Sequence, residues 1–399
     1  MKKSVLALAF AAATFAGTAN AKTIVYDKDG TQLFIDGRVR SVLYSGKFNK
    51  AGNHDSNINN TSRFGVGGKI KLTNGIYGIA YTQWDMSDSK NKDQNDKIKV
   101  RDQWIGLDFG DYGKLKLGRF KNQLVHVGAL VDDVYEEKGC LAISDERHSG
   151  QIAYNYSGYG FEFGLAGQTA VNAANVDFAP KSDYKGVFTT FVAYNTPPVL
   201  FGPIRFAVGY GLMKGQHDKD PSHDRGVSGL IGQTLDKLQT ITASIHWGQK
   251  TKTPGFRTGV VYTGVKVDAN DYATVSYNKV RYNFSYDVDA AAFSIGYTFD
   301  CGVTLTSGYQ YSKIKFDEGA IGSAKASRIP TMVFWSVHPN FKIFAGASFS
   351  IDADKNKTAA IVASEARYKG QDKYTKSTSI DTLDFSEDNY YYTGVIYNF

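Results

Sequence analysis

The feature that most constrains the fold is a two-residue alternation of apolar and polar side chains that recurs along the chain. In QLFIDGRVRSVL, Leu33, Ile35 and Val39 share one face of an extended strand, whereas Arg38 and Arg40 share the other. The same split recurs in RFGVGGKIKL, FEFGLAGQ, IRFAVGY, VTLTSGYQY and KIFAGASFSI. No segment changes to helical periodicity, and the pattern therefore predicts an all-β protein.

The connections between these segments are alternately short and long. The short ones are LTNG (72–75), FGDYG (109–113), SGYG (157–160), PPVLFGP (197–203), VDAND (267–271), FDCG (299–302) and HPN (338–340). The long ones are polar and lie near 44–60, 87–97, 121–146, 169–185, 214–236, 316–327 and 353–387. Strands of about ten residues with tight turns on one side and long loops on the other are typical of a transmembrane β-barrel. A soluble β-sandwich also alternates, but its connections would not sort into two sets.

A barrel crosses a membrane because closure pairs every backbone N–H and C=O in the hydrocarbon, where an unpaired group costs several kcal/mol. Counting gives about 17 candidate strands, whereas a barrel of this type has an even number. The weakest candidate is 237–248, LQTITASIHWGQ, which could belong to a long loop instead. We predict sixteen strands, with eighteen as the alternative.

Residues 1–21 have the form of a secretory signal peptide, with Lys2 and Lys3 before an apolar stretch and small residues at Ala19 and Ala21. The apolar stretch is shorter than the roughly 20 residues that a spanning helix needs. We therefore expect an exported chain with residues 22–399 forming one transmembrane barrel domain.

The overall composition excludes several classes of function. The net charge of +7 is modest, and the sequence contains no run of basic residues. Nucleic acid is therefore not an expected partner. The two cysteines, Cys140 and Cys301, do not make a disulfide framework, although a bridge between them and two unpaired thiols both remain open. No motif indicates an enzyme, a cofactor site or a metal site.

The last segment, NYYYTGVIYNF, alternates up to its final residue. A strand that pairs with the first strand of a barrel would be held in the wall in this way. We expect Tyr397 and Phe399 to face lipid at the inner interface, within an aromatic girdle.

These residues carry a family likeness. The chain from residue 22 onward resembles the trimeric general diffusion porins of Gram-negative outer membranes, which have 16 strands. The strongest match is RDQWIGLDFGDYGKLKLGRF (101–120), which is similar to the strand, turn and strand that lead into the constriction loop of those proteins. The ending GVIYNF resembles the terminal signal, Tyr397 and Phe399 here, that the barrel-assembly machinery recognises.

The resemblance implies a third external loop that folds into the lumen, a homotrimer, and contact with lipid and lipopolysaccharide. It also implies passive diffusion of ions and small hydrophilic solutes through a charged constriction. Its acidic side would be Asp132, Asp133, Glu136 and Glu137, and its basic side Arg38, Arg63, Arg101 and Arg147. Arg40, Lys69 and Lys71 would be secondary lumen charges.

Four points depart from the family pattern or stay open. The Pro-Glu-Phe-Gly-Gly type of turn is replaced by DDVYEEKGC, so the acid that faces the constriction is not defined. Strand parity places Asp102 opposite Arg101, which predicts a subunit contact or a rim position for Asp102. A sugar-selective channel needs a ladder of lumenal aromatics, and parity gives only Phe34, Phe344 and Tyr392. A barrel without a channel, such as an adhesin, is a further alternative.

Overall fold

The computed structural model describes residues 22–45, 57–87, 97–132, 147–176, 179–216, 235–249, 253–269, 274–277, 280–283, 285–317, 323–354 and 389–399. Within these ranges the backbone forms twenty strands, one α-helix and one 3-10 helix. The strands are β1 (Lys22–Lys28), β2 (Thr31–Tyr44), β3 (Asn57–Thr73), β4 (Ile76–Ser87), β5 (Lys97–Asp108), β6 (Lys114–Lys121), β7 (Arg147–Gly158), β8 (Phe161–Gln168), β9 (Val171–Val176), β10 (Ala179–Asn195), β11 (Ile204–Gly215), β12 (Leu235–Gly248), β13 (Gly255–Ala269), β14 (Thr274–Tyr277), β15 (Val280–Asn283), β16 (Tyr286–Thr298), β17 (Val303–Phe316), β18 (Ser323–His338), β19 (Phe341–Ala353) and β20 (Tyr390–Asn398). The α-helix, α1, spans Val125–Asp132, and the 3-10 helix spans Gly110–Tyr112. None of the helices in this described part of the chain has the length and hydrophobicity needed to cross a membrane.

Sixteen of the strands form a closed antiparallel barrel. The ring contains β2 to β8, then β10 to β13, then β16 to β20, and β20 pairs with β2 to complete it. Strand β1 pairs with the first part of β2, β9 pairs with the start of β10, and β14 pairs with β15 in a separate two-stranded sheet. The sixteen-stranded prediction is confirmed, and the eighteen-stranded alternative is wrong.

Two details of the predicted strand assignment are wrong. Segment 237–248 is not a loop but lies within β12, which pairs along its length with β11 and β13. After VDAND, the described residues between β13 and β16 form the short pair β14 and β15 in a separate sheet, so the wall strand predicted there is not found among them. Alternation cannot separate these cases, because a local hairpin and a barrel strand have the same two-residue period.

The outer face of the barrel is apolar, as the alternation predicts. Among the side chains that point outward, Leu33, Val39, Phe161, Tyr391 and Tyr397 are 43–52% exposed, values that suit contact with lipid rather than with a protein core. Exposed aromatic side chains also mark the ends of strands near the short turns, as in an interfacial girdle. They include Phe161, Phe201, Tyr297, Phe299, Trp335, Phe341 and Tyr397.

The chain end closes the ring. The Gly37 N–H donates to the Phe399 carbonyl at 2.8 Å, and the Phe399 N–H donates to the Gly37 carbonyl at 3.0 Å. The Phe399 ring occupies the space that a side chain at position 37 would need, so a glycine is required at this close approach. The predicted pairing of the last strand with the first barrel strand is therefore confirmed.

The interior face is less uniformly polar than the alternation suggests. Near the external ends of β10 to β18, the inward-facing side chains form a large buried apolar cluster. Its members are Tyr184, Met213, Leu235, Leu238, Val265, Val267, Tyr286, Val288, Ile314, Phe316, Ala324 and Ala326. The expectation of only three lumenal aromatics is therefore wrong, because it rested on the few strands whose parity was clear from the sequence.

Candidate pore constriction

Three of the predicted arginines lie together on the inner wall of neighbouring strands. Arg38 of β2 lies directly opposite Arg63 of β3 in the strand register, and Arg101 lies on β5. Between them, Asp85 of β4 accepts from Arg63 Nε at 2.6 Å and from Arg101 Nη1 at 2.7 Å. We call Arg38, Arg63 and Arg101 the arginine row; it keeps a net positive charge because Asp85 is shared.

Sequence reasoning missed Asp85, although a signal was present. Asp85 has the same parity as Tyr81 and Gln83 in YTQWDMS, and all three face the lumen. A carboxylate placed between two guanidinium groups forms charge-assisted hydrogen bonds that fix both side chains. Asp85 therefore determines how the arginine row is oriented.

Asp102 is also in the lumen, contrary to the parity prediction. The register between β4 and β5 shifts where Gln83 pairs with Asp102 and Trp84 pairs with Val100, so Arg101 is an extra residue in a β-bulge. The bulge lets Arg101 and Asp102 face the same side. Arg147 Nε then donates to the two Asp102 carboxylate oxygens at 3.1 and 3.3 Å, and the predicted position of Asp102 at a subunit contact or rim is wrong.

Helix α1 lies inside the barrel and packs against the inner faces of β10 to β13 and β16. Val127 packs against Phe191, Ala193 and Ala207, and Val131 packs against a second cluster, Val261, Ala290 and Ala292. The wall leaves room for the helix because glycines face it. A Cβ atom at Gly209 would lie 2.8 Å from Leu124 and 2.9 Å from Val127.

Polar contacts hold the same helix. Arg205 of β11, which is buried, donates to the carbonyls of His126 at 2.9 Å and Val127 at 3.3 Å, and it pairs with Glu162 at 2.9 Å. Ser244 Oγ donates to the Val127 carbonyl at 2.5 Å. A carbonyl oxygen can accept two hydrogen bonds, so these bonds add to those within the helix and attach α1 to the inner wall.

The ring order places α1 across the lumen from the arginine row. Strand β13, which contacts Val131, is the eighth strand from β4 in either direction around the sixteen-stranded ring. The two features therefore lie on opposite walls. Asp132 is the last residue of α1, and its side chain lies outside the described atoms. Asp133, Glu136 and Glu137 lie outside the described residues, as does Cys140.

Comparison with known proteins gives the family. Residues 7–319 match the family model described as Gram-negative porin, which covers more than half of the chain. This chain belongs to the Gram-negative porin family. It is an outer-membrane diffusion channel with the barrel described above.

Two curated relatives and one solved structure illustrate the similarity. Outer membrane porin C of Serratia marcescens is 28% identical over 347 residues, covering 82% of this chain and 84% of that protein. Outer membrane porin PhoE of Salmonella typhimurium is 27% identical over 338 residues, covering 81% of this chain and 85% of that one. The structure of Salmonella typhi OmpF in complex with daunomycin has a TM-score of 0.66 at 15% identity and covers 94% of this chain and all of that chain.

The three secondary lumen charges of this porin occupy different depths. The buried Arg40 places its guanidinium 5.7 Å from the centre of the Phe344 ring. Lys69 pairs with Asp108 at 3.3 Å and stands 3.8 Å from the centre of the Tyr77 ring. Lys71 is exposed near the short turns, where its N–H donates to the Gly30 carbonyl.

Charged lumen side chains that keep contact with water lie mainly on β3 to β8 of this porin. Asp85 is 37% exposed, Glu162 31% and Lys69 27%. By contrast, the inward-facing Arg257 and Arg328 on β13 and β18 are only 2% and 1% exposed. Of these described charges, the more exposed ones lie on the side of the barrel that carries the arginine row.

Cys301 is a free, exposed cysteine in the turn between β16 and β17. Since Cys140 is outside the described residues, the state of this pair stays a prediction. Among the described residues, no group of His, Cys, Asp and Glu side chains is arranged to hold a metal ion.

Proposed function

We propose that this porin selects solutes at a charged neck between the arginine row, with Arg147, and the acids that follow α1. In this proposal the acidic side of the neck consists of Asp132, Asp133, Glu136 and Glu137. The observation that carries it is the placement of α1 on the wall opposite the arginine row. The chain leaves α1 at Asp132, so the acids begin where the helix ends.

Opposed charges across a narrow water-filled neck produce a transverse field, which is strong because the surrounding wall has a low dielectric constant. A small polar solute or ion can orient in this field and pass. An apolar solute must displace ordered water without compensation. Transport of this kind involves no chemical step, so the proposal assigns no catalytic residue and no cofactor.

Reversal potentials in planar bilayers under a salt gradient test the neck, because its two sides make opposite predictions. Replacing Asp132, Asp133, Glu136 and Glu137 with amides is expected to shift the preference toward anions. Replacing Arg63 and Arg101 with Gln is expected to shift it toward cations. Lys325→Gln is the control, since Lys325 pairs with Asp352 on the exposed outer side.

If the acid set leaves the reversal potential unchanged while the arginine set changes it, the acids do not face the neck. If neither set changes it, the constriction lies elsewhere. Retained single-channel conductance in each variant shows that the barrel has folded.

We also propose that the outer wall of β2 to β5 is the contact surface of a homotrimer. Support comes from a groove of about 450 Å³ that lies on this wall and reaches β6, between Leu33 and Val66 on one side and Ile105 and Leu117 on the other. Its floor contains the small residues Gly68, Ala80 and Thr82. A groove with such a floor allows a neighbouring subunit to approach closely. Contacts with lipopolysaccharide and with the barrel-assembly machinery, through Tyr397 and Phe399, stay predictions.

A further inference from the structure

Below the arginine row, toward the short turns, the same wall carries a second set of cations. Lys22, Lys69, Lys114 and Lys116 face this part of the lumen, and we call them the lysine group. Lys22 stands over the ring of Phe34, which precedes Arg38 by four residues on β2. Lys69 follows Arg63 by six residues on β3. At about 3.3 Å per residue, the group lies roughly 13–20 Å from the arginine row.

Three of these ammonium groups stand on aromatic rings. Lys22 Nζ lies 4.4 Å from the centre of the Phe34 ring, and Lys69 Nζ lies 3.8 Å from that of Tyr77. Lys116 Nζ lies 4.8 Å from the centre of the Trp104 ring. The rings themselves make a continuous inner surface. The centre of the Tyr81 ring lies 6.1 Å from that of Phe34 and 5.9 Å from that of Trp104.

A ring face positions an ammonium group without neutralising it. A cation–π contact attracts the cation through the ring quadrupole, but it carries no counter-charge and leaves N–H donors directed away from the ring. A carboxylate would both cancel the charge and accept those donors. The aromatic supports therefore preserve the positive charge of the lysine group.

The described acids near this charge are shared with other partners. Asp108 is shared by Lys69 at 3.3 Å and Lys114 at 3.4 Å. Asp36 acts on Lys22, and its carboxylate already accepts from Tyr81 at 2.9 Å and from Gln83 at 3.0 Å. Asp102, which already pairs with Arg147, acts on Lys116. Among the described residues, four lysines thus face three carboxylates, and Lys22, Lys114 and Lys116 act on one another as like charges.

We propose that the lysine group is an oxyanion subsite on the exit side of the neck, which binds solutes carrying a phosphate group. An oxyanion with two or more negative charges brings several acceptor oxygens to donors that are already positioned, and it relieves the repulsion among the lysines. A singly charged or neutral solute gains much less binding free energy from these contacts. The inference rests on the proposed function, because a solute from outside reaches this group after the neck.

The test is block of the single-channel current by inorganic phosphate added to the short-turn side of a planar bilayer in potassium chloride. Phosphate is expected to reduce the wild-type current at concentrations where acetate does not. In the double variant Lys69→Gln, Lys116→Gln, the half-blocking concentration is expected to rise by about tenfold or more, given the typical strength of charge-assisted hydrogen bonds. Glucose 6-phosphate compared with glucose tests whether a phosphate group on a larger solute is bound as well.

The matched control is Lys342→Gln, because Lys342 Nζ also stands over a lumen-facing ring, that of Phe334 at 5.4 Å, but on β19. It is expected to leave the phosphate block unchanged. Lys116→Arg, which keeps the charge, is expected to retain most of the block. An unblocked wild-type channel, or equal block of wild type and double variant, overturns the proposal.

Failure of the subsite is distinguishable from failure of the neck. The reversal potentials of the Arg63 and Arg101 variants in plain potassium chloride report on the neck alone. If those variants shift ion preference while phosphate block is absent, the neck stands and the subsite fails. If the lysine substitutions weaken the phosphate block but no neck variant changes ion selectivity, the subsite stands and the neck fails.

Discussion

At the scale of single residues, a shared carboxylate and a bulge organise the basic wall. Asp85 bridges Arg63 and Arg101, and the extra residue at Arg101 turns Asp102 toward Arg147. Like charges on neighbouring strands repel each other unless an acid lies between them. The acids of this wall therefore permit several arginines to lie close together.

Asp85→Asn is expected to shift the reversal potential toward anions, since it removes a negative charge from the arginine row. It should also lower stability by about 1 kcal/mol, a small value because Asp85 is more than one-third exposed and its ion pairs are screened by solvent. Planar bilayer recordings and the midpoint of thermal denaturation in detergent measure the two effects.

The control for this variant is Asp300→Asn, in the exposed turn after β16. Equal reversal potentials for Asp85→Asn and Asp300→Asn would show that Asp85 does not influence ions in the pore.

At the scale of elements, the inward position of α1 depends on the shape of the wall behind it. Val127 and Val131 fill spaces that small residues of β10, β11, β13 and β16 leave open. Arg205 and Ser244 add hydrogen bonds to carbonyls at the start of the helix. A helix of eight residues is too short to be stable alone, so this docking holds it.

Gly209→Val is expected to displace α1, because its Cβ would lie 2.8 Å from Leu124. Overpacking of this kind costs about 1–3 kcal/mol. The change should alter single-channel conductance and increase current fluctuations while leaving the barrel intact. Gly167→Val is the matched control, since a Cβ there meets its nearest neighbour, Ile152, at 3.9 Å. Identical recordings for the two variants would rule out a role for this docking in the pore.

At the scale of the whole molecule, the barrel has two kinds of outer wall. Most of it presents large exposed apolar side chains to lipid, whereas β2 to β5 present the groove lined by Gly68, Ala80 and Thr82. In a cyclic trimer each subunit contacts both neighbours, through two patches that can adjoin in one surface around the three-fold axis. The rest of the wall then faces lipid.

Ala80→Trp is expected to reduce the trimer fraction in unheated detergent gels, because the indole fills the groove and blocks the neighbouring subunit. Ala243→Trp is the matched control, since Ala243 is equally small and exposed on β12, on the far side of the ring. Tryptophan is tolerated on a lipid-facing wall. Loss of trimer in both variants, or in neither, would remove β2 to β5 as the specific contact.

Much of this architecture could be predicted from local pattern. Strand parity predicts which face of the barrel wall carries Leu33, Arg38, Arg63 and Tyr397. The number of sixteen strands follows from the spacing of the turns together with the requirement that the barrel closes. The lumen positions of Lys114 and Lys116 are also readable in KLKLG, although sequence reasoning did not use them. The predictions for Asp102 and for the segment after VDAND were wrong because periodicity carries no information about the bulge at Arg101 or about whether β14 and β15 join the barrel.

The sequence by itself determined that the chain is a membrane barrel, since a two-residue period with an apolar outer face admits few other folds. It also determined which strands carry basic residues inward. Only the tertiary structure decided that Asp85 joins the arginine row, that α1 docks on the opposite wall, and that the lysine group stands on aromatic rings. The physical reason is that parity fixes the side of a strand on which a residue lies, whereas register, bulges and ring order fix its neighbours.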